Sequence, residues 1–220
     1  MLVVKLCLQR TFSVSTLKAA LSKSRVTRQH FQIIHKRPNI FLITFGHKVD
    51  AQQVLRNKPW CVHNQLLAIQ EWPPNVPFDK LSFNSTPIWV QAHGLSPNQL
   101  NLYNAKLIGD LVGKYLEVDL TQDGAIGCYM FLRIRVEIHL DLPIKPGFYN
   151  SKADDTIEWI RLKYEKLPNV CYSCGLIGHI GRDCKNIEAC VEKEQPKTMK
   201  SMFGLWLKVS LFHYPKKSLS

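Results

Sequence analysis

Four residues in the last quarter of the chain have the types and the spacing of a metal site. They follow the pattern C-x2-C-x4-H-x4-C and are Cys171, Cys174, His179 and Cys184. Zinc prefers four tetrahedral ligands drawn from thiolate sulfur and imidazole nitrogen, and a two-residue gap lets two sulfurs reach one ion from a tight turn. Because side chains supply all four ligands, no position remains for a reacting water. We therefore predict one structural Zn²⁺ without a catalytic role.

The loop that carries these ligands is too short to bury a core of its own. Metal binding must therefore supply its folding free energy, of order 10 kcal/mol for comparable peptides. Gly175 and Gly178 provide the left-handed backbone that such a loop requires. The alternative, three buried thiols and one imidazole without a metal, would make the spacing and both glycines a coincidence.

No set of residues in the sequence forms a recognisable catalytic arrangement. Asp154 and Asp155 are one acidic pair beside Lys152, a combination more typical of a solvated turn. His93 follows a predicted strand, with no identifiable nucleophile or base near it in the sequence. The phosphate-binding pattern GxxxxGK[ST] is absent. We therefore predict that the chain is not an enzyme and has no small-molecule substrate.

The first 72 residues alternate between strand and helix patterns in the order β-α-β-β-α-β. The predicted elements are a strand at 2–8, a helix capped by Ser13, a hairpin around Pro38-Asn39, a short helix that opens at Asp50, and a strand at 62–72. This order is typical of a split βαβ sandwich, the arrangement of ferredoxin-like and RNA-recognition-motif-like units.

The remainder of the chain divides into a linker, a second unit, the metal-binding loop and a tail. Residues 73–85 are a proline-rich linker, and residues 86–167 are a second, small antiparallel α+β unit. Apolar and charged residues alternate strictly at 132–140, which predicts a half-buried strand in that unit. Residues 168–186 hold the zinc loop, and residues 187–220 are predicted to be a mostly flexible, Lys-rich tail. The predicted fold class is therefore α+β.

The charge distribution indicates an anionic partner. The formal net charge is +12 at pH 7, with 12 Lys and Arg against 3 Asp and Glu in residues 1–80 and 9 against 4 in residues 166–220. No stretch of about 18 apolar residues predicts a membrane span. Seven cysteines, three of them in the metal pattern, argue against a secreted disulfide framework. We expect a reducing compartment, the nucleus or the cytoplasm.

The segment 171–184 resembles the retroviral-type zinc knuckle. In that family the residue after the first Cys and the residue after the His form an apolar platform on which bases stack. The corresponding residues here are Tyr172 and Ile180. The alternative for Tyr172 is that its ring packs against the preceding unit.

Basic residues on both sides of the knuckle are candidates for phosphate contacts. They are Arg182, Lys185, Lys163 and Lys166. For each lysine the alternative is a solvated surface charge. Together with the apolar platform, these residues predict a single-stranded nucleic-acid site.

A wider resemblance covers roughly residues 1–184. The patterns PWxxxxxLL…W and YExLPxxCxxCGxxGH, followed by FGxWL in the tail, resemble a plant family, the domain of unknown function 4283 followed by a CCHC zinc knuckle. Such chains resemble the first open reading frame of LINE-type retrotransposons and host genes derived from them. The resemblance implies zinc and nucleic-acid binding, as a chaperone or coat for element RNA, and implies no catalytic activity.

Two functions from different classes follow from these observations. The first is a non-catalytic, zinc-dependent binder of single-stranded nucleic acid, with RNA favoured over DNA and self-association as a further property. The second is a protein–protein interaction or assembly module that uses the knuckle and the first unit. The predicted third strand, IFLITF, lacks the glycine-and-aromatic pattern of an RNA-recognition motif, so we expect electrostatic or protein contacts from the first unit.

Overall fold

Two antiparallel five-stranded sheets account for most of the strands in the chain. The structure is a computed structural model, and it describes residues 1–7, 12–24, 30–121, 124–126, 130–151, 155–185 and 203–209. Three α-helices accompany the sheets within these residues, which confirms the predicted α+β class. No helix in the described ranges is long and apolar enough to cross a membrane.

The first sheet has the strand order β2-β3-β1-β5-β4. Its elements are β1 (Leu2–Leu6), α1 (Val14–Lys23), β2 (Phe31–Arg37), β3 (Ile40–Phe45), α2 (Lys48–Arg56), β4 (Trp60–Val62) and β5 (Gln65–Glu71). The hairpin predicted around Pro38-Asn39 joins β2 to β3, and Asn39 has a φ of 63°. The apolar residues of α1 and α2 cover one face of the sheet, where Leu2, Leu17 and Val54 are fully buried.

The segment predicted as one strand at 62–72 is instead the hairpin β4–β5. His63 and Asn64 form its turn, with φ values of 48° and 61°. Two successive positive φ angles are what a two-residue hairpin turn requires, because they match the twist of the flanking strands. The prediction missed this turn because His63-Asn64 contains no glycine and so lacks the usual sequence signal of a two-residue hairpin turn.

Ser13 caps α1 as predicted, because its side chain accepts a hydrogen bond from the backbone N–H of Thr16. Ser13→Ala should therefore lower the free energy of unfolding by about 1 kcal/mol, the usual cost of losing such a cap. Urea denaturation measures this change. Ser22→Ala, an exposed site in the same helix, is the matched control and should leave stability unchanged or slightly raised. Equal stability of both variants would contradict the capping role.

The other face of the first sheet is covered by the segment that joins the two sheets. Val3, Leu42 and Ala68 on the sheet form one buried cluster with Phe83. Phe78 and Leu81 lie partly buried against the same cluster. Residues 78–83 therefore pack across the central strands, on the face that an RNA-recognition motif leaves open.

The second sheet has the strand order β7-β8-β6-β10-β9. Its elements are β6 (Ser85–His93), α3 (Leu102–Val112), β7 (Lys114–Val118), β8 (Phe131–His139), β9 (Gly147–Ser151) and β10 (Ile157–Tyr164). The alternation predicted at 132–140 is observed in β8, where Leu132, Ile134 and Val136 are buried. They form a second core with Ala105 and Ile108 of α3.

Part of the predicted flexible tail is ordered against the second core. Residues 203–209 contain a short 3-10 turn, Leu205–Leu207, and Leu207 is fully buried. The backbone N–H of Val209 donates to the carbonyl of Tyr164, 3.1 Å away, at the end of β10. This segment differs from the prediction because apolar residues dominate it and find an open site on the core. The other residues of 187–220 lie outside the described ranges.

Candidate zinc and nucleic-acid site

The four predicted zinc ligands converge on one point. The sulfur atoms of Cys171, Cys174 and Cys184 and one ring nitrogen of His179 lie within 4.8 Å of one another. Cys174 Sγ and His179 Nε2 are 3.4 Å apart. Bond lengths of about 2.0–2.3 Å in a tetrahedral site imply ligand atoms about 3.5–3.8 Å apart. The cluster therefore fits one structural Zn²⁺ after small side-chain adjustments.

A tight backbone turn builds the first half of this site. The N–H of Gly175 donates to the Cys171 carbonyl over 2.7 Å, and the N–H of Cys171 donates to the Leu176 carbonyl over 2.9 Å. Gly175 and Gly178 have φ values of 76° and 111°, in the left-handed region that favours glycine. The predicted use of both glycines is confirmed. The turn brings the sulfur atoms of Cys171 and Cys174 to the same side of the backbone, facing the metal position.

The surroundings shift the pKa values of two of the thiols in opposite directions. Burial raises the pKa of Cys174 to about 12, and the neighbouring sulfurs of Cys171 and Cys184 act in the same direction. Burial also acts to raise the pKa of Cys171, but hydrogen bonds from the backbone of Cys174 and Ser173 lower it overall. Zinc ligation requires thiolates, so binding of the ion must release protons.

The knuckle is anchored on both units of the chain. The N–H of Ile144 donates to the Gly175 carbonyl over 3.0 Å, which joins the knuckle to the loop after β8. The N–H of Asn169 donates to the carbonyl of Asn64, in the β4–β5 turn, over 2.9 Å. A side-chain atom added at Gly175 would meet the ring of Phe203 from the ordered tail segment. The knuckle is thus a packed part of the fold.

The predicted base platform is only partly exposed. Tyr172 is half-buried against the second core, which raises the pKa of its hydroxyl. Ile180 is more accessible, with 39% of its surface exposed. Arg182 and Lys185 are both exposed, on either side of Cys184 in the sequence. The structure therefore places one apolar side chain and two cations on the accessible surface of the knuckle.

The two upstream lysines have different positions. Lys163 is half-buried on β10 and pairs across the strands with Gln91 of β6. Lys166 is exposed, and its Nζ lies 3.4 Å from the carbonyl of Asn57, just after α2. Lys163 therefore belongs to the second sheet, while the side chain of Lys166 contacts the first unit.

A polar network on the second sheet was not predicted. Glu165 accepts two hydrogen bonds of 2.7 Å from Arg133, and Arg133 lies 3.8 Å over the ring of Trp89. Both charged side chains are only about one-seventh exposed, at 14% and 16%. The alternating pattern of β8 identifies a polar face, but it cannot indicate which carboxylate from another strand neutralises Arg133.

Comparisons with known proteins agree with the sequence patterns. Residues 1–80 match the family described as "Domain of unknown function (DUF4283)", and residues 152–186 match the family described as "Zinc knuckle". None of the curated proteins matches this chain. A solved structure described as "Structure of the RNA binding domain of Hrp1 in complex with RNA" is 12% identical, with 61% of this chain and 78% of that chain covered and a TM-score of 0.27. The zinc knuckle points to a nucleic-acid-binding role.

Proposed function

We propose that this chain, which carries a DUF4283 domain followed by a CCHC-type zinc knuckle, is a non-catalytic protein that binds single-stranded nucleic acid through the zinc-loaded knuckle. The cluster of four ligands is the observation that carries the proposal. A closed four-ligand site holds its metal for structure, so the metal serves to present the surrounding side chains. Those side chains include the exposed Ile180, Arg182 and Lys185.

The partner is inferred from the chemistry of this surface and from the charge of the whole chain. Bases have flat apolar faces that stack on exposed apolar groups, and phosphates attract Lys and Arg. The net charge of +12 adds long-range attraction for any nucleic acid. We include in the proposal a preference for RNA, self-association and an origin related to retrotransposon reading frames. The free thiols of Cys7 and Cys61 support a reducing compartment, the nucleus or the cytoplasm.

The first sheet contributes charge to this function and not a stacking surface. Leu42 of β3, on the face where an RNA-recognition motif displays its rings, is 4% exposed beneath Phe83. Residues 78–83 would have to detach before bases could reach that face. We therefore assign the stacking of bases and the pairing with phosphates to the knuckle and not to the first sheet.

Removal of the two knuckle cations should weaken binding and flatten its salt dependence. For single strands each lost phosphate contact reduces the slope of log affinity against log salt by about 0.7, so Arg182→Ala with Lys185→Ala should reduce it by about 1.4. The measurement is anisotropy of a labelled oligouridylate at several salt concentrations, with the zinc-loaded chain. Zinc content should not change, because neither residue is a ligand.

The matched control removes two other exposed lysines, Lys106 and Lys114, from the nearly neutral second unit. The double variant Lys106→Ala with Lys114→Ala should leave the slope of log affinity against log salt close to the parent value. If chelated protein binds with the affinity and slope of the zinc-loaded parent, the knuckle is not the site. Binding that resists added salt would favour the protein–protein alternative. Intact RNA after incubation with magnesium is the expected result for a non-catalytic chain.

A further inference from the structure

The second sheet has a face that α3 does not cover. Ile88, Val90 and Leu132 point toward α3 and lie in the second core. Successive residues of a strand point to opposite faces, so Trp89, His93 and their neighbours line the other side. At one end this open face meets the first unit, where Arg135 donates to the carbonyl of Arg56 over 2.8 Å. The other end lies at His93, four residues or about 13 Å along β6 from Trp89, the cross-strand partner of Arg135.

Two aromatic pairs occupy that far end. The rings of Tyr149 and Trp159 have centroids 4.7 Å apart, and those of His93 and Phe131 are 4.8 Å apart. Arg161 lies between the pairs, because it is the cross-strand partner of His93 and follows Trp159 by two residues on the same face. We call these five residues the aromatic strip. It crosses four strands in the order β9, β10, β6 and β8.

Tyr149 is the exposed ring of the strip, the other three rings are half-buried, and the rings are held in place. Tyr149 is 70% exposed, and Ile157 beside it on β10 is 69% exposed. The Trp159 ring lies against Gly147, where an added Cβ would come within 2.6 Å of the indole. His93 Nε2 lies 3.1 Å from Gln91 Oε1, and Gln91 donates to Glu165 over 2.8 Å. The buried polar network therefore fixes one ring pair, and a glycine provides space for the other.

The charges along the strip favour an anionic partner. Within the described parts of the chain, neither Arg161 nor Lys163 forms an ion pair, whereas Arg133 and Arg135 pair with Glu165 and Glu117. Burial, with the nearby charge of Lys163, lowers the pKa of His93 to about 4. His93 is therefore a neutral ring at neutral pH. The strip therefore combines aromatic faces with one cation, Arg161, and Lys163 lies two residues further along the same face of β10.

We infer that the aromatic strip is a second contact surface for single-stranded nucleic acid, with bases stacked on its rings, above all on Tyr149, and phosphates held by Arg161 and the neighbouring Lys163. This inference rests on the proposed function, because it extends the same ligand from the knuckle onto the sheet. Aromatic side chains interleaved with cations are the combination that single strands require, since every base has a face that can stack. Protein interfaces also concentrate Tyr, Trp and Arg, but binding there would not weaken steeply with added salt.

Tyr149→Ala tests the strip in the full, zinc-loaded chain with the labelled oligouridylate. One stacked ring contributes about 1–3 kcal/mol per base, so the affinity should fall by about 5- to 150-fold. Tyr149→Phe should retain the parent affinity, because stacking does not need the hydroxyl. Arg161→Ala should reduce the salt slope by about 0.7. The zinc content of every variant should equal that of the parent.

Two residues on the opposite side of the same unit provide matched controls. Tyr103 in α3 is 73% exposed, so Tyr103→Ala removes a ring as accessible as that of Tyr149. Lys106→Ala removes one exposed positive charge and is the control for Arg161→Ala. Both should bind like the parent. If Tyr149→Ala and Arg161→Ala also bind like the parent while the Arg182 and Lys185 variant is weakened, the strip is not a contact surface and the proposed function stands. A parent chain that binds no single strand overturns both.

Discussion

Removal of the zinc ion should loosen more of the chain than the loop that binds it. Zinc provides of order 10 kcal/mol of folding free energy in comparable knuckles, so the metal-free loop should unfold. The carbonyl of Gly175 would then no longer hold the N–H of Ile144, and Phe203 would lose its contact at Gly175. Hydrogen exchange after chelation should accelerate at Ile144, Gly178 and Val209. Amides in the centres of both sheets should remain protected.

Substitution of a single ligand should give the same result. Cys171→Ser should lose the one zinc ion per chain and the same amide protection, because three ligands bind the metal far more weakly than four. Cys61→Ser is the matched control, since Cys61 is half-buried and lies outside the four-ligand cluster. Metal analysis and exchange should show no change for that variant. Full zinc content in Cys171→Ser would refute the ligand assignment.

The local features of the fold were predictable because they depend on neighbours in sequence. Ser13 caps its helix, Asn39 turns its hairpin, and the alternation through Leu132 and Ile134 defines β8. The zinc cluster belongs to the same class, since all four ligands lie within a 14-residue segment whose spacing alone specifies the metal.

The features that sequence patterns did not predict depend on contacts between distant segments. Residues 78–83 contain proline-flanked, partly polar sequence typical of a linker, yet Phe83 is buried on the first sheet. Tyr149 and Trp159 become a pair only when β9 aligns with β10. Periodicity identifies which residues share a face of one strand, but it gives no information on which strands are adjacent. The covered face of the first sheet and the aromatic strip were therefore visible only in the structure.

Leu207→Ala should detach the ordered tail segment from the second core. Leu207 is fully buried, and truncating a buried leucine to alanine costs about 2–5 kcal/mol. Residues 203–209 form a short segment that contacts the core mainly through Leu207, Trp206 and Phe203. The free energy that holds this segment on the core should therefore be comparable to the cost of truncating Leu207. Exchange at Val209, whose N–H bonds to Tyr164, should accelerate toward the rate of an open chain.

Leu205 offers a matched control two residues away in the same turn, because it is 77% exposed. Leu205→Ala should leave hydrogen exchange at the amide of Val209 unchanged.

The two leucine variants should also differ in how much of the knuckle they expose. Both should keep their zinc, because the tail supplies no ligand. Leu207→Ala should expose the side of the knuckle that Phe203 covers at Gly175. The half-buried ring of Tyr172 packs against the same core and would become more accessible. Single-strand binding by Leu207→Ala should then match or exceed that of the parent if Tyr172 is a stacking ring. Weaker binding with zinc retained would mean that the docked tail helps to hold the platform in its binding position.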